Sequence, residues 1–374
     1  MPARRRRSNK TAFSRLLRAL PTPISDRTRR RAPRRARPTV VLPVLKAPVV
    51  AVSRGAAAKG ATKKPPPRKR TPAGHGTRRA TRYVGAAGSR AYQVYLPAGL
   101  PGTAKVPLMI LLHGCLQTPA EFAAATRFNQ LSDRHTFIVV YPEQTVTHNL
   151  QRCWNWFDTR HQGRGHGEPA ILAGIARQVM AERTRWRVDP ERVYVAGLSA
   201  GGAMALVLGA TYPDLFAGIG VHSAPPYRSA STRSGALSAM AGNPWRSPAP
   251  ISSELGIAPM VVFQGRIDST VSSVNAARIV DQWRVFHERH VTGERDPNRI
   301  TREREVSRTT ASGRSYTVTR WYSANGRKLL ESWQVERLAH AWSGGKKGVA
   351  FSDPEGPRAT TEMWHFLSSH RLTR

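Results

Sequence analysis

Three residue types, in one order along the chain, define the chemistry this sequence can perform. Ser199 lies in Gly197-Leu198-Ser199-Ala200-Gly201, a G-x-S-x-G pattern between the apolar run "RVYVA" and the small-residue stretch "GGAMALVLGA". A serine hydroxyl is a weak nucleophile until a base takes its proton and a third group orients that base. When the serine occupies a sharp strand-to-helix turn, the acid follows it and the histidine comes last, each on a loop after a later strand. Asp268 fits the acid, in "RIDSTV" directly after the apolar "PMVVFQG", and His340 fits the base, opening "HAWSGG" after the strand-like "LLESWQVERL". Asp158 and His222 break that order, Asp281 falls inside a helical stretch, and His287 and His290 sit at a charged helix end.

Acyl transfer also needs donors for the oxyanion that develops on the carbonyl, each worth about 3 to 4 kcal/mol. The backbone N–H of Ala200, next to the nucleophile, is one. The other is expected after an early strand, where "MILLHGCLQ" turns at His113-Gly114 and offers the amide of Cys115.

Such a site has to be held by a rigid frame, and the pattern from about Arg82 onward supplies one. Short apolar runs ("AYQVYLP", "VPLMILLHG", "TFIVVYPE", "RVYVAGLS", "FAGIGVHS", "PMVVFQG") alternate with helix-compatible stretches such as "PAEFAAATRFNQLSDRH" and "VNAARIVDQWRVFHERH". Runs of this kind suit strands buried on both faces, so the expected class is α/β, with a mostly parallel central sheet flanked by helices. After Asp281 the pattern gives way to a polar stretch, two further strand-like runs and a last helix near "TTEMWHFLSSH".

Charge divides the 374 residues unevenly. The formal net charge is +36, and residues 1–82 hold 25 Lys/Arg against one acid, Asp26. This Pro-, Ala- and Arg-rich arm cannot bury enough apolar surface to fold alone and is expected to be mostly disordered. Residues 83–374 form the expected single domain. Phe13, Leu16, Leu17 and Leu20 make a short apolar stripe in the arm, suited to an anionic surface such as a phospholipid or a coated granule; nucleic acid is the competing anionic partner. No run reaches the roughly 20 apolar residues of a membrane span. "FSRLLRAL" is too short and too interrupted for a signal peptide, so cytoplasmic or granule-associated residence is expected.

Taken together, "LLHGCLQ", "CWNWF", "VYVAGLSAGGAMA", "FQGRIDSTVSSVNA" and "HAWSGG" resemble the esterases of the poly(3-hydroxybutyrate) depolymerase family, within the α/β-hydrolase fold, from about Tyr92 to the C terminus. The resemblance implies Ser199 as nucleophile, Asp268 as acid, His340 as base and the Cys115 main chain as an oxyanion donor, with no metal or organic cofactor. It implies a short-chain 3-hydroxyalkanoate ester as substrate, polymeric or oligomeric, and extracellular residence as the family alternative. It also implies a disulfide between Cys115 and Cys153, in tension with a reducing cytoplasm. Such a bridge needs Cα atoms about 4.4 to 6.8 Å apart. Feruloyl and acetylxylan esterases are similar over the same core. From another class, a non-catalytic nucleic-acid- or surface-binding protein would explain the arm alone. Trp154, Trp156 and Trp342 are candidates for an apolar substrate cleft or for core packing.

Overall fold

The computed structural model describes residues 76–244 and 256–372, apart from 292, 294, 295, 297 and 298. The expectations for the arm up to residue 75, including its apolar stripe, lie outside the described residues. One ten-stranded sheet runs through the rest. Its strands are β1 (Thr77–Gly85), β2 (Gly88–Leu96), β3 (Val106–Leu112), β4 (Ile138–Pro142), β5 (Val188–Leu198), β6 (Gly218–His222), β7 (Met260–Gly265), β8 (Ile300–Thr309), β9 (Ser315–Ser323) and β10 (Lys328–Val335). They lie in the order β1-β2-β4-β3-β5-β6-β7-β10-β9-β8, and the six from β4 to β10 are parallel.

The helices are α1 (Pro119–Thr126), α2 (Phe128–His135), α3 (Gly167–Ala181), α4 (Ala200–Thr211), α5 (Arg233–Met240), α6 (Val274–Arg289) and α7 (Ala359–Ser368). Side chains of β3 show why the central strands read as continuous apolar runs. Leu108, Ile110 and Leu112 enter one core with Ile175 of α3, Met204 of α4 and Trp283 of α6, whereas Met109 and Leu111 enter the other with Phe122, Phe128 and Trp364 of α1, α2 and α7. Alternate residues point to opposite faces, and both faces are covered.

Three details differ from the sequence reading. The run "PAEFAAATRFNQLSDRH" is two helices, broken where Arg127 adopts φ 59°. A capping box starts α1, with Thr118 Oγ1 accepting from Glu121 N and Thr118 N donating to Glu121 Oε2. The domain begins earlier than residue 83, because β1 starts at Thr77, and the polar stretch after α6 contains β8. Both are edge strands whose residues are mostly exposed, and their charges match those of a solvated segment. Arginine and glutamate along an edge also discourage pairing with another chain. No helix among the described residues is long and apolar enough to cross a membrane.

Four buried histidines make this fold sensitive to acid. Burial holds His113 down to about 4 and His222, His287 and His370 down to about 3. In an unfolded chain each would take up a proton near about pH 6.5. Below that value the unfolded state therefore binds more protons than the folded one. Stability from these groups is complete above about pH 6.5 and falls by about 1.4 kcal/mol per pH unit for each histidine until its folded value is reached. Urea midpoints are expected to be flat near neutrality and to drop steeply below about pH 6.5. Midpoints independent of pH down to about pH 4.5 would contradict neutral burial of these imidazoles.

Candidate active site

The chain turns sharply from β5 into α4 at a single residue. Ser199 stands between β5 and α4 with φ 57° and ψ −121°, a backbone conformation that a side-chain-bearing residue seldom adopts. Its amide donates to the His222 carbonyl at the end of β6, 2.8 Å away. Gly201 lets the first turn of α4 press against the end of β3, since a Cβ there would overlap the Leu112 carbonyl. Every residue of α4 is buried, so the helix cannot shift to relax the turn.

Asp268 and His340 come from loops at the same ends of the parallel strands. Asp268 follows β7, and Oδ1 accepts from the amides of Thr270 and Val271 at 2.9 and 2.8 Å. Oδ2 accepts from His340 Nδ1 at 2.8 Å and from Gln264 Nε2 at 3.2 Å. Burial alone would raise the Asp268 carboxyl, but the facing His340 charge, the His340 hydrogen bond and the two amides outweigh it and hold it below the usual carboxylate value. With Nδ1 donating to a carboxylate, the neutral ring of His340 carries its lone pair on Nε2, the tautomer a general base needs. Among the described residues Ser199 Oγ makes no hydrogen bond; contacts of this type commonly tighten once substrate is bound.

The loop after β3 lies beside the serine. A Cβ on Gly114 would stand 3.5 Å from Ser199 Cβ and 3.1 Å from Gln117 Oε1. Gln117 Oε1 accepts from the Gly114 amide at 2.9 Å, and the Leu116 amide donates to Gln151 O at 2.7 Å. Among the described residues, the amides of Cys115 and Ala200 donate to nothing. The second is the orphan donor that every helix start leaves. Two unengaged N–H groups beside a buried serine are the equipment that an oxyanion requires.

Behind this loop the structure joins Cys115 to Cys153 in a disulfide, with Cα atoms 4.2 Å apart, slightly closer than the expected range. His113 Nε2 accepts from the Gln144 amide at 3.1 Å, and Trp154 Nε1 donates to His113 O at 3.1 Å. Trp154 and Trp342 are fully buried and Trp156 nearly so, which corrects the cleft reading of all three. Their large rings gain more from packing, and the Trp342 indole is satisfied by Thr360 Oγ1 at 2.9 Å.

Sequence reasoning missed the network that supports the tryptophan loop. Buried Glu168 of α3 pairs with Arg90 of β2 at 3.1 Å and accepts from the Asn155 amide at 2.7 Å, while Gln144 Nε2 bonds both Glu168 and the Cys153 carbonyl. Arg90 and Glu168 are 78 residues apart, and no local pattern marks the pair. It also passed over Gln117, although that residue stands inside the "LLHGCLQ" motif.

The chain is also similar to known proteins over its described domain. A family described as esterase PHB depolymerase matches residues 90–306. The chain is 33% identical over 66% of its length to poly(3-hydroxyalkanoate) depolymerase C of Paucimonas lemoignei, covering 57% of that protein. It is 28% identical over 68% of its length to poly(3-hydroxybutyrate) depolymerase of Ralstonia pickettii, covering 52% of it. The chain thus spans about half the length of these relatives. Among solved structures, acetyl xylan esterase from Aspergillus awamori shares the fold, with a TM-score of 0.58 and 16% identity over 78% of this chain and 99% of that one.

The bridge closes a loop with a sequence separation of 38. Chain-entropy reasoning gives it about 4 kcal/mol of stability. Replacing both cysteines by serine is expected to lower the unfolding free energy by about that amount in denaturant titrations. A change below about 1 kcal/mol would mean that the loop is held by the Glu168 network alone.

Proposed function

Since this chain belongs to the esterase PHB depolymerase family, we propose that it is a serine carboxylesterase acting on short-chain 3-hydroxyalkanoate esters, as polymer or oligomer. The observation that carries the reading is the 2.8 Å bond from His340 Nδ1 to Asp268 Oδ2, which leaves Nε2 as the base on a loop at the serine's end of the sheet. Family membership supports the substrate class.

In this reading Ser199 Oγ attacks the ester carbonyl as His340 Nε2 takes its proton. The tetrahedral oxyanion is held by the amides of Cys115 and Ala200. His340 then protonates the leaving alcohol, and water, activated by the same imidazole, hydrolyses the acyl-enzyme. Asp268 stays ionised throughout and stabilises the imidazolium, a role suited to a buried carboxylate held below its ordinary value. No step calls for a metal or an organic cofactor. The 25 basic residues of 1–82 support attachment to an anionic, coated polymer surface, which salt-sensitive sedimentation with anionic vesicles would read.

Ser199→Ala is expected to lower kcat on the order of 10^6-fold, with the protein still folded. Removing Asp268 and His340 together should cost little more than removing His340 alone, because the three groups act as a unit. Additive losses would count against a shared triad. A panel of amorphous polyhydroxybutyrate, hydroxybutyrate oligomers, feruloylated and acetylated sugars and p-nitrophenyl esters tests the substrate class. Preference for the sugar esters would overturn the polyester assignment.

A further inference from the structure

His222 is tied to both halves of the site. Its carbonyl accepts the Ser199 amide at 2.8 Å, and its ring Nε2 accepts the Ser343 amide at 3.1 Å. Ser343 belongs to the short strand β11 (Trp342–Ser343), just past His340, and its hydroxyl donates to Pro357 O at 2.8 Å. Nε2 can accept only when the proton sits on Nδ1, and Nδ1 faces Ser223 Oγ at 3.0 Å. The ring is completely buried, stacked between Trp342 at 5.0 Å and Phe263 at 5.8 Å between centroids. With both ring nitrogens engaged and no exposure, His222 has no route to substrate.

The need for such a tie follows from the topology. β10 ends at Val335, so His340 lies beyond the sheet ladder that fixes the strands. A displacement of about 1 Å in a catalytic group can cost about 100-fold in rate. We propose that His222 is a positioning residue, whose Nε2 holds the His340 loop in register with the serine turn that its own carbonyl anchors. This rests on the reading of Ser199 and His340 as nucleophile and base.

The test uses the full chain, with active sites counted by fluorophosphonate labelling so that turnover is expressed per reactive serine. His222→Phe keeps the aromatic stack and removes the acceptor; His222→Gln puts an acceptor oxygen near the position of Nε2. The Phe variant is expected to lose about 10- to 100-fold in kcat with KM within about twofold, and the Gln variant to recover most of the loss. The pH at which kcat/KM rises should be the same in both, because His340 remains the base. If the Phe variant does not fold, His222→Asn replaces it, since its shorter side chain cannot reach the Ser343 amide. Wild-type kcat per labelled serine in the Phe or Asn variant would overturn the proposal. So would a Gln variant as slow as the variant lacking the acceptor, or loss of the pH limb in the Gln variant, which would make His222 the base. Failure of Ser199 to label in the wild type would instead refute the underlying site assignment, a separate and recognisable outcome.

Discussion

The conformation of Ser199 is the constraint on which the surrounding structure depends. A side-chain-bearing residue at φ 57° and ψ −121° costs on the order of 1–3 kcal/mol and persists only where its neighbours over-determine it. Those neighbours are the end of β3, which Gly201 touches directly, the His222 carbonyl at the end of β6, and the fully buried helix α4. Both strands belong to the parallel core of the sheet. The sheet therefore needs its central strands buried on both faces before it can hold one serine in a strained turn.

Because the strands run parallel, their carboxyl ends gather at one edge, and the loops leaving β3, β5, β7 and β10 supply Cys115, Ser199, Asp268 and His340. Position alone does not make these groups useful. The disulfide, the Gln117 bond to Gly114 and the Glu168 network fix the first loop from behind. The carboxylate of Asp268 is fixed by two amides and one glutamine before it meets the imidazole. Stabilisation of charge by such groups is effective because they are already oriented when the charge appears.

Much of this was legible in the sequence where burial dictates residue type. β3, β4, β6 and β7 announce themselves as apolar runs, and the G-x-S-x-G turn is visible because close approach at Gly201 excludes any side chain. The edge strands β1 and β8 were not legible, since their residues are mostly exposed and the apolar alternation that marks a strand is lost. Trp154, Trp156 and Trp342 read either as cleft or as core packing, and burial places their rings in the core. Chain order set His222 aside as a base and gave it no other part, whereas its two nitrogens serve Ser223 and Ser343. Roles of this kind depend on contacts across 121 residues of chain, as with Ser343, and no spacing rule reaches that far.

In the proposed reaction, the carboxyl ends of the central strands bring a nucleophile, two oxyanion amides and an Asp-held imidazole around a single reacting carbonyl. The most direct measurement is a crystal structure of the full chain after reaction with an alkyl phosphonate that mimics the tetrahedral intermediate. The expected adduct has phosphorus bonded to Ser199 Oγ and the phosphonyl oxygen about 2.7 to 3.1 Å from the amides of both Cys115 and Ala200, with His340 Nε2 facing the remaining oxygen. An adduct on another residue, or a phosphonyl oxygen turned away from both amides, would contradict it.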